Sequence, residues 1–295
     1  MKQIYIEDFQ GIHSDSGDWY NVINFLGGGG NGWTYLVMCT TGERRGNVFA
    51  LKILYNILKK ERVDKFLKEV AWMQKNHYPS ILQQYDSGTL YNHPFVVMEH
   101  MPTTLAKEVS EGRVGLGQAL LYAQQLISAV SYLHAQNYIH RDIKPENIFI
   151  KGSSAILGDF GLIKKITDEE DDVSEVKGYV AMPKYYRTPE LIEYAKTGVQ
   201  VGCESDVFQL GLVLAFMFTR KNPLNPVNNI LDPISLSPVP LPKGKFGRRI
   251  HYVLSQMLKI KKEERLTLDK AQTYFFSIFE DYVKEKKDLD NEFDF

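Results

Sequence analysis

The apolar residues of this chain read mainly as strands up to residue 101 and mainly as helices beyond it, and that division limits the folds open to it. Before it, residues 20–25, 34–39 and 48–54 read as strands. Gly-rich turns separate the first two, and Thr41, Gly42 and Gly46 lie between the second and third, so the expectation is antiparallel strands on short turns. Val63, Phe66, Leu67, Val70 and Met73 then fall at helical spacing, with Lys65, Lys68 and Glu69 between them, and this helix ends before Pro79. Two more strands are expected at 81–85 and 95–98. Beyond residue 101 the chain reads as mainly helical. Ala119, Leu120, Ala123, Leu126, Ile127, Val130 and Leu133 make an amphipathic stripe. A loop-rich stretch covers 140–190, and 206–219 is an almost wholly apolar, hence buried, helix. Residues 222–242 hold six of the twelve prolines and cannot form a long helix. Helices are expected again at 250–258 and 268–284, followed by a charged, frayed tail. The class is α+β.

A chain of 295 residues can bury a large core without disulfides or a structural metal. Its 35 Lys and Arg against 36 Asp and Glu leave a net charge of −1, which argues against a nucleic-acid binder. Cys39 and Cys203 are the two cysteines, read as ordinary thiols of a reducing compartment, with no zinc-type spacing. The first ten residues lack the apolar core of a secretory signal, and the longest apolar run, 210–218, is too short to span a bilayer. The expected setting is cytoplasmic, with no integral membrane segment.

Three clusters carry chemistry. Gly27, Gly28, Gly29, Gly30, Asn31 and Gly32 lie between two strands, in a hairpin where bare backbone amides can approach phosphate oxygens. Phe49-Ala50-Leu51-Lys52 follows on a strand, where alternation puts Ala50 and Lys52 on one face. Glu69, on the next helix, is placed to hold Lys52 against phosphates. The strongest signal is His140-Arg141-Asp142-Ile143-Lys144-Pro145-Glu146-Asn147, then a short apolar strand, then Asp159-Phe160-Gly161. Any one of these aspartates could be a turn or a cap; the ordered set is not explained that way.

Taken in order, these motifs resemble those of eukaryotic-type serine/threonine protein kinases over residues 20–280. Thr188-Pro189-Glu190 stands where that family has Ala-Pro-Glu. Ser205-Asp206-Val207-Phe208-Gln209-Leu210-Gly211 resembles its DVWSLG helix, and His77-Tyr78-Pro79-Ser80-Ile81 its HPNI stretch. The resemblance implies a bilobal protein-kinase-like fold: a small antiparallel-sheet N-lobe with one main helix (19–100) and a larger, mainly helical C-lobe (101–284), flanked by an extension (1–18) and a charged tail (285–295).

It also implies roles. Lys52, paired with Glu69, contacts the α- and β-phosphates of ATP. Asp159 and Asn147 bind Mg²⁺, Asp142 orients the substrate hydroxyl, and Lys144 meets the γ-phosphate. Leu26, the glycines 27–30 and 32, Asn31, Thr34 in place of the usual valine, Ala50, Met98 as gatekeeper, the Glu99 carbonyl, the Met101 amide and Phe149 surround the nucleotide. Glu190 pairs with Arg265. Arg141 is a regulatory arginine, with Thr167 and Ser174 as phosphate acceptors, and a homodimer would allow phosphorylation in trans. Lys144 favours Ser/Thr specificity, whereas Pro183 stands where such kinases usually carry a threonine.

Two features keep alternative readings. Residues 168–172 are five consecutive acids, read as a solvated loop or as a built-in phosphate mimic for Arg141 and for Lys164 or Lys165. Lys243, Lys245, Arg248 and Arg249 form a basic cluster, read as solvated surface or as a dock for an acidic partner. At the level of the whole chain the alternative to an active enzyme is a non-catalytic kinase-fold scaffold that binds nucleotide and partner proteins. Lys52, Asp142 and Asp159 are all present, which weighs against it.

Overall fold

The structure is a computed structural model that describes Ile6 and residues 10–29, 32–166 and 183–291. The chain divides into two compact units, Met1–Pro102 and Thr103–Phe295.

The first unit is built on a six-stranded antiparallel sheet. Its strands are β1 (Gly11–His13), β2 (Trp19–Gly29), β3 (Gly32–Cys39), β4 (Val48–Ile53), β5 (Gln84–Leu90) and β6 (His93–Glu99), in the order β1-β2-β3-β4-β6-β5. Alternate residues of these strands face one core: Tyr20 and Val22, Tyr35 and Val37, Phe49, Leu51 and Ile53, with Phe95 and Val97. Burying an aliphatic or Phe side chain of this kind contributes about 1.5–3 kcal/mol, so this face pins the register of β2, β3, β4 and β6.

Helix α1 (Lys60–Lys75) buries Phe66, Glu69, Val70, Trp72 and Met73. The spacing is that expected for the helix, except that a carboxylate sits among the buried positions and Leu67 is exposed.

Two features of this unit differ from expectation. The fifth strand starts at Gln84, three residues later than its apolar residues suggest, because Ile81 and Leu82 are buried as loop anchors rather than as strand residues. The polar segment ahead of residue 19 adds an edge strand. Ile12 is wholly buried opposite Tyr20, and the hydroxyls of Ser14, Ser16 and Tyr20 all donate to the Asp86 carboxylate at 2.7, 2.6 and 3.0 Å. Those bonds satisfy a buried carboxylate that no periodicity argument reveals, and hold its pKa down against the opposing effect of burial.

The second unit is helical, with short two- and three-stranded sheets. In chain order it contains β7 (Thr103–Thr104), α2 (Leu105–Ser110), α3 (Leu116–Ala135), β8 (Tyr138–Ile139), β9 (Ile148–Lys151), β10 (Ser154–Leu157), β11 (Lys164–Lys165), α4 (Pro189–Thr197), α5 (Cys203–Thr219), α6 (Gly247–Met257) and α7 (Leu268–Asn291). A 3-10 turn at Pro145–Asn147 leads into β9, which pairs with β7 and β10, while β8 pairs with β11.

Helix α5 is buried as expected, including Phe208, Leu210, Leu212, Val213 and Leu214. Gly211 allows this: a Cβ there would lie 3.0 Å from Leu258 and 3.1 Å from Met257. The proline-rich stretch carries no helix or strand, only a bridge between Leu224 and Leu236.

Helix α7 continues to Asn291, past the end expected at 284. Two of its carboxylates take cations from the chain ahead of it: Arg249 reaches Asp281 at 2.6 Å and Lys245 reaches Glu285 at 3.3 Å. Two of the four cations in the basic cluster are therefore neutralised within the chain.

Candidate active site

In the first unit, β2 and β3 pair through the glycine hairpin, with Gly27 opposite Thr34, Gly28 opposite Trp33 and Gly29 opposite Gly32. Gly32 cannot be replaced without movement. Its φ is +150° and a Cβ would fall 2.3 Å from the Ile53 carbonyl oxygen. Gly30 and Asn31, the tip of the hairpin, lie outside the described residues, and Leu26 is exposed.

Across the sheet, Thr34 pairs with Lys52, and Ala50 with Met98. Ala50 and Met98 are buried, while Glu99 and Met101 are half-buried. The Glu99 amide donates to the Gln83 carbonyl at 3.0 Å. Lys52 points from β4 to α1, where its Nζ lies 2.9 Å from Glu69 Oε1 and 6.0 Å from the Phe66 ring centre. A lysine so held presents a fixed positive charge, weakly screened because its side chain is 13% and its partner 3% exposed.

The second unit gathers the other polar side chains around one carboxylate. Asp142 Oδ2 accepts from Lys144 Nζ at 2.8 Å and from Asn147 Nδ2 at 2.9 Å. Asn147 Nδ2 also donates to the Asp142 carbonyl at 2.9 Å. Burial pushes the Asp142 pKa upward, against the hydrogen bond from Lys144. With both its donor hydrogens directed at Asp142, Asn147 has its amide oxygen as the group to offer a cation.

Asp159 stands in a left-handed conformation, φ +58°, beside the fully buried Phe160, which packs against His140 at 5.1 Å between ring centres. Phe149, on β9, is half-buried and pairs with Ile156.

Mg²⁺ takes oxygen ligands, commonly one or two carboxylates completed by phosphate oxygens and water. The Asp159 carboxylate and the Asn147 amide oxygen fit that chemistry. Among the described residues no group of three or more His, Cys, Asp or Glu gathers as a metal cluster, so a cation held here would complete its shell with oxygens of a nucleotide and water.

The backbone carrying Asp142 is fixed from α5. Asp206 is fully buried. Its Oδ2 accepts from the His140 amide at 2.8 Å and from His134 Nε2 at 2.9 Å, and its Oδ1 accepts from the Arg141 amide at 2.9 Å. Burial alone would raise the Asp206 pKa, but the hydrogen bond and charge of His134 bring it below the ordinary value, while Asp206 raises His134 to about 10 against its own burial. The pair is an ion pair at neutral pH. His140, wholly enclosed, is pushed down by burial and stays neutral, bonding the Gly158 carbonyl.

One turn further along α5, Gln209 Oε1 accepts from the Ile143 amide at 2.9 Å, and its Nε2 donates to the carbonyls of Arg141 at 3.0 Å and Tyr186 at 2.8 Å. Arg141 itself sits at φ +67° and donates from Nε to the Leu162 carbonyl at 2.8 Å.

Downstream, Thr188 caps α4 by accepting from the Leu191 amide, and its hydroxyl meets Ser205 at 2.8 Å. Glu190 and Arg265 form a buried ion pair at 2.8 Å, and Arg265 also donates to the carbonyls of Glu204, Lys259 and Ile260. Thr167, Ser174 and the acidic run 168–172 lie outside the described residues.

Two residues that support this site, His134 and Gln209, and a buried arginine in the segment ahead of α4, Arg187, were not singled out from sequence. Gln209 carried a signal, since a lone amide in an apolar, buried helix must find partners for every donor and acceptor. Arg187 carried none. It is fully buried, its Nη1 donates to the carbonyls of Ile230 and Asp232, and its Nε and Nη2 find no hydrogen-bond partner among the described residues.

Comparison with known proteins agrees with the motif order. The family model described as "Protein kinase domain" matches residues 20–276. Serine/threonine-protein kinase pkn2 of Myxococcus xanthus is 28% identical over 76% of this chain and 28% of its own length. Serine/threonine-protein kinase PAK mbt of Drosophila melanogaster is 29% identical over 81% of this chain and 37% of its own. Mitogen-activated protein kinase 4 of Rattus norvegicus is 32% identical over 66% of this chain and 73% of its own. The chain thus matches well under half the length of the first two relatives.

Proposed function

The chain belongs to the protein kinase family, and on that premise we propose that it is an ATP- and Mg²⁺-dependent kinase that phosphorylates Ser and Thr hydroxyls of proteins. The observation that carries this reading is the Asp142 carboxylate with Lys144 at 2.8 Å and Asn147 at 2.9 Å on the same oxygen. Phosphoryl transfer asks little covalent chemistry of a protein; it asks for alignment and for positive charge around the phosphates. Lys52, steadied by Glu69, supplies charge for the α- and β-phosphates. The amides of the glycine hairpin supply donors free of side-chain obstruction. Ala50, Thr34, Met98, Phe149 and Leu26 offer apolar surface to adenine, and the Glu99 carbonyl and Met101 amide its polar edge.

Asp142 accepts from or orients the attacking hydroxyl, and Lys144 neutralises charge on the group in transit. Asp159 and Asn147 hold Mg²⁺, which when bound supplies charge neutralisation for the phosphates. The Glu190–Arg265 pair anchors the segment on which a polypeptide substrate would lie. Ser/Thr preference rests on Lys144, two residues after Asp142, and on the serine/threonine-protein kinase names of relatives at 28–29% identity. Autophosphorylation at Thr167 or Ser174, in trans within a homodimer, belongs to the same reading. So does a cytoplasmic setting, in which Cys39 and Cys203 remain thiols.

Incubating the pure protein with labelled ATP, Mg²⁺ and a general protein substrate, then mapping the sites by mass spectrometry, tests it. Label on Ser and Thr is the expected result. Label confined to Tyr removes the specificity, and an absence of label that matches an Asp142→Asn control favours the scaffold reading.

A further inference from the structure

We propose that Gln209 is a positioning residue that locks the Asp142 loop and the segment leading into Thr188 into one register. The inference rests on the kinase reading and extends it to a residue that touches no substrate.

Asp142 sits between a carbonyl and an amide that the same side chain holds. Gln209 takes the Arg141 carbonyl on its Nε2 and the Ile143 amide on its Oε1, at 3.0 and 2.9 Å. The second Nε2 hydrogen goes to the Tyr186 carbonyl at 2.8 Å. Gln209 is 0% exposed, so these three contacts have no water competing for them. Both of its donor hydrogens are used, and its oxygen is engaged.

Arg141 explains why so much is spent there. It is not glycine, yet it lies at φ +67°, a conformation that persists only when the surroundings over-determine it. Asp206 holds its amide at 2.9 Å and Gln209 holds its carbonyl. Asp206 and Gln209 are three apart on α5 and therefore share a helix face. The two peptide groups that flank the strained residue are thus fixed by one turn of one buried helix.

Gln209 adds what Asp206 lacks, a bond to the Tyr186 carbonyl. Tyr186 lies two residues ahead of Thr188, which caps α4. A shift of the Tyr186 segment must therefore pull on the amide that carries both sides of Asp142. Serine, the residue found here in the DVWSLG pattern, has one hydroxyl hydrogen and a side chain two atoms shorter. It cannot accept from Ile143 and donate to two carbonyls at once.

Gln209→Met removes all three bonds at nearly constant volume, and Gln209→Ser installs the shorter side chain. Each variant is compared with wild type in phosphorylation of a randomised Ser/Thr peptide library with Mg²⁺ and ATP, with rates expressed per folded molecule. The expected result is a fall in kcat on the order of tenfold, as for a misplaced reacting group, with the KM for ATP within about twofold of wild type. A residue that only packs the core would lower the melting temperature and leave kcat per folded molecule unchanged; that result overturns the proposal.

Amide hydrogen exchange, read without substrate, gives the second measurement. The Ile143 amide and the amides of Tyr186 and Arg187 should lose protection together, while those within α5 keep theirs. Unchanged protection at Ile143, or loss confined to one of the two segments, also overturns it. Should Gln209→Met be insoluble, Gln209→Ser decides alone. If wild type phosphorylates nothing, the kinase reading fails on activity while exchange still decides the clamp.

Discussion

The two units position charge by different means. In the first, the tips of two long side chains meet, Lys52 from β4 and Glu69 from α1, so the placement of the lysine depends on where a helix lies against a sheet. In the second, Asp142 is placed through its backbone: the amides of residues 140, 141 and 143 and the carbonyl of 141 all bond to side chains of α5. A tip-to-tip pair can be opened by a small movement of one element and closed again. A backbone held by buried carboxylate and amide groups cannot move without leaving polar groups unsatisfied, at about 1–3 kcal/mol each. The first arrangement suits a group that is brought to its ligand; the second suits a group whose geometry must be ready beforehand.

The sharpest way to break this contrast is at its centre. Asp142→Asn keeps the size of the side chain and the α5 clamp, so the fold and the melting temperature should stay close to wild type. Single-turnover phosphoryl transfer should fall by roughly 10²–10⁴-fold, the range for a positioned acid–base group. Wild-type turnover would remove Asp142 from the role proposed for it.

Next comes the tip-to-tip pair. Lys52→Ala should cost on the order of a hundredfold in kcat, through lost alignment of the phosphates. Glu69→Gln keeps one hydrogen bond to Lys52 but not its charge, and should cost less, about tenfold, as expected if Glu69 acts only through Lys52. No loss in Glu69→Gln would show that the lysine is placed by something other than the pair, and a loss larger than that of Lys52→Ala would show that Glu69 does more than hold it.

The contrast also explains what could be read from sequence. The placements of Lys52, Asp142, Asn147 and Asp159 are legible because spacing within short motifs fixes which face or turn they occupy, and that of Glu69 because it lies on an amphipathic helix whose period is plain. The strands and helices were legible from the alternation of Phe49, Leu51 and Ile53 and from the 3.6 period of α3. What escaped was everything held by distant polar contacts. The carboxylate of Asp86 meets Ser14 72 residues away, and Gln209 meets Ile143 66 residues away. No local pattern encodes such pairings. The edge strand β1 was missed for the same reason: its single buried Ile12 makes no periodicity, and its place depends on Asp86.

A smaller effect separates the clamp from the group it holds. His134→Ala leaves the Asp206 carboxylate buried with the two backbone amides still bound to it, so the loss in stability should be about 1–3 kcal/mol. Its pH dependence has a definite sign. His134 is raised from 6.5 to about 10 on folding, so its contribution is complete below pH 6.5 and is lost as the pH rises toward 10. Asp206 is lowered, so its contribution is present above its ordinary 3.8 and is lost only on acidification. Urea unfolding of wild type and His134→Ala should therefore differ most between about pH 4 and 6.5 and converge toward pH 10. A constant difference across that range would mean that His134 acts by packing alone.

The smallest effect concerns where the acid limb of the rate profile falls. Burial raises the Asp142 pKa above the ordinary 3.8, and the Lys144 hydrogen bond opposes the rise. Since the ionised carboxylate is the form that accepts a proton, kcat/KM should decline on acidification through a pKa higher than that of an ordinary aspartate. Lys144→Ala removes the cation at 2.8 Å, which had favoured the charged form, so the limb should move to still higher pH. Lys144→Arg keeps the charge and should leave the limb near its wild-type position even if the rate falls, because the guanidinium fits the γ-phosphate differently. The decisive comparison is of kcat/KM limb positions, at one ATP and Mg²⁺ concentration well below saturation and at fixed ionic strength. A limb that moves down in Lys144→Ala, or moves equally in Lys144→Arg, would mean that the titrating group is not Asp142, and the second unit's prearranged carboxylate would lose its place in the chemistry.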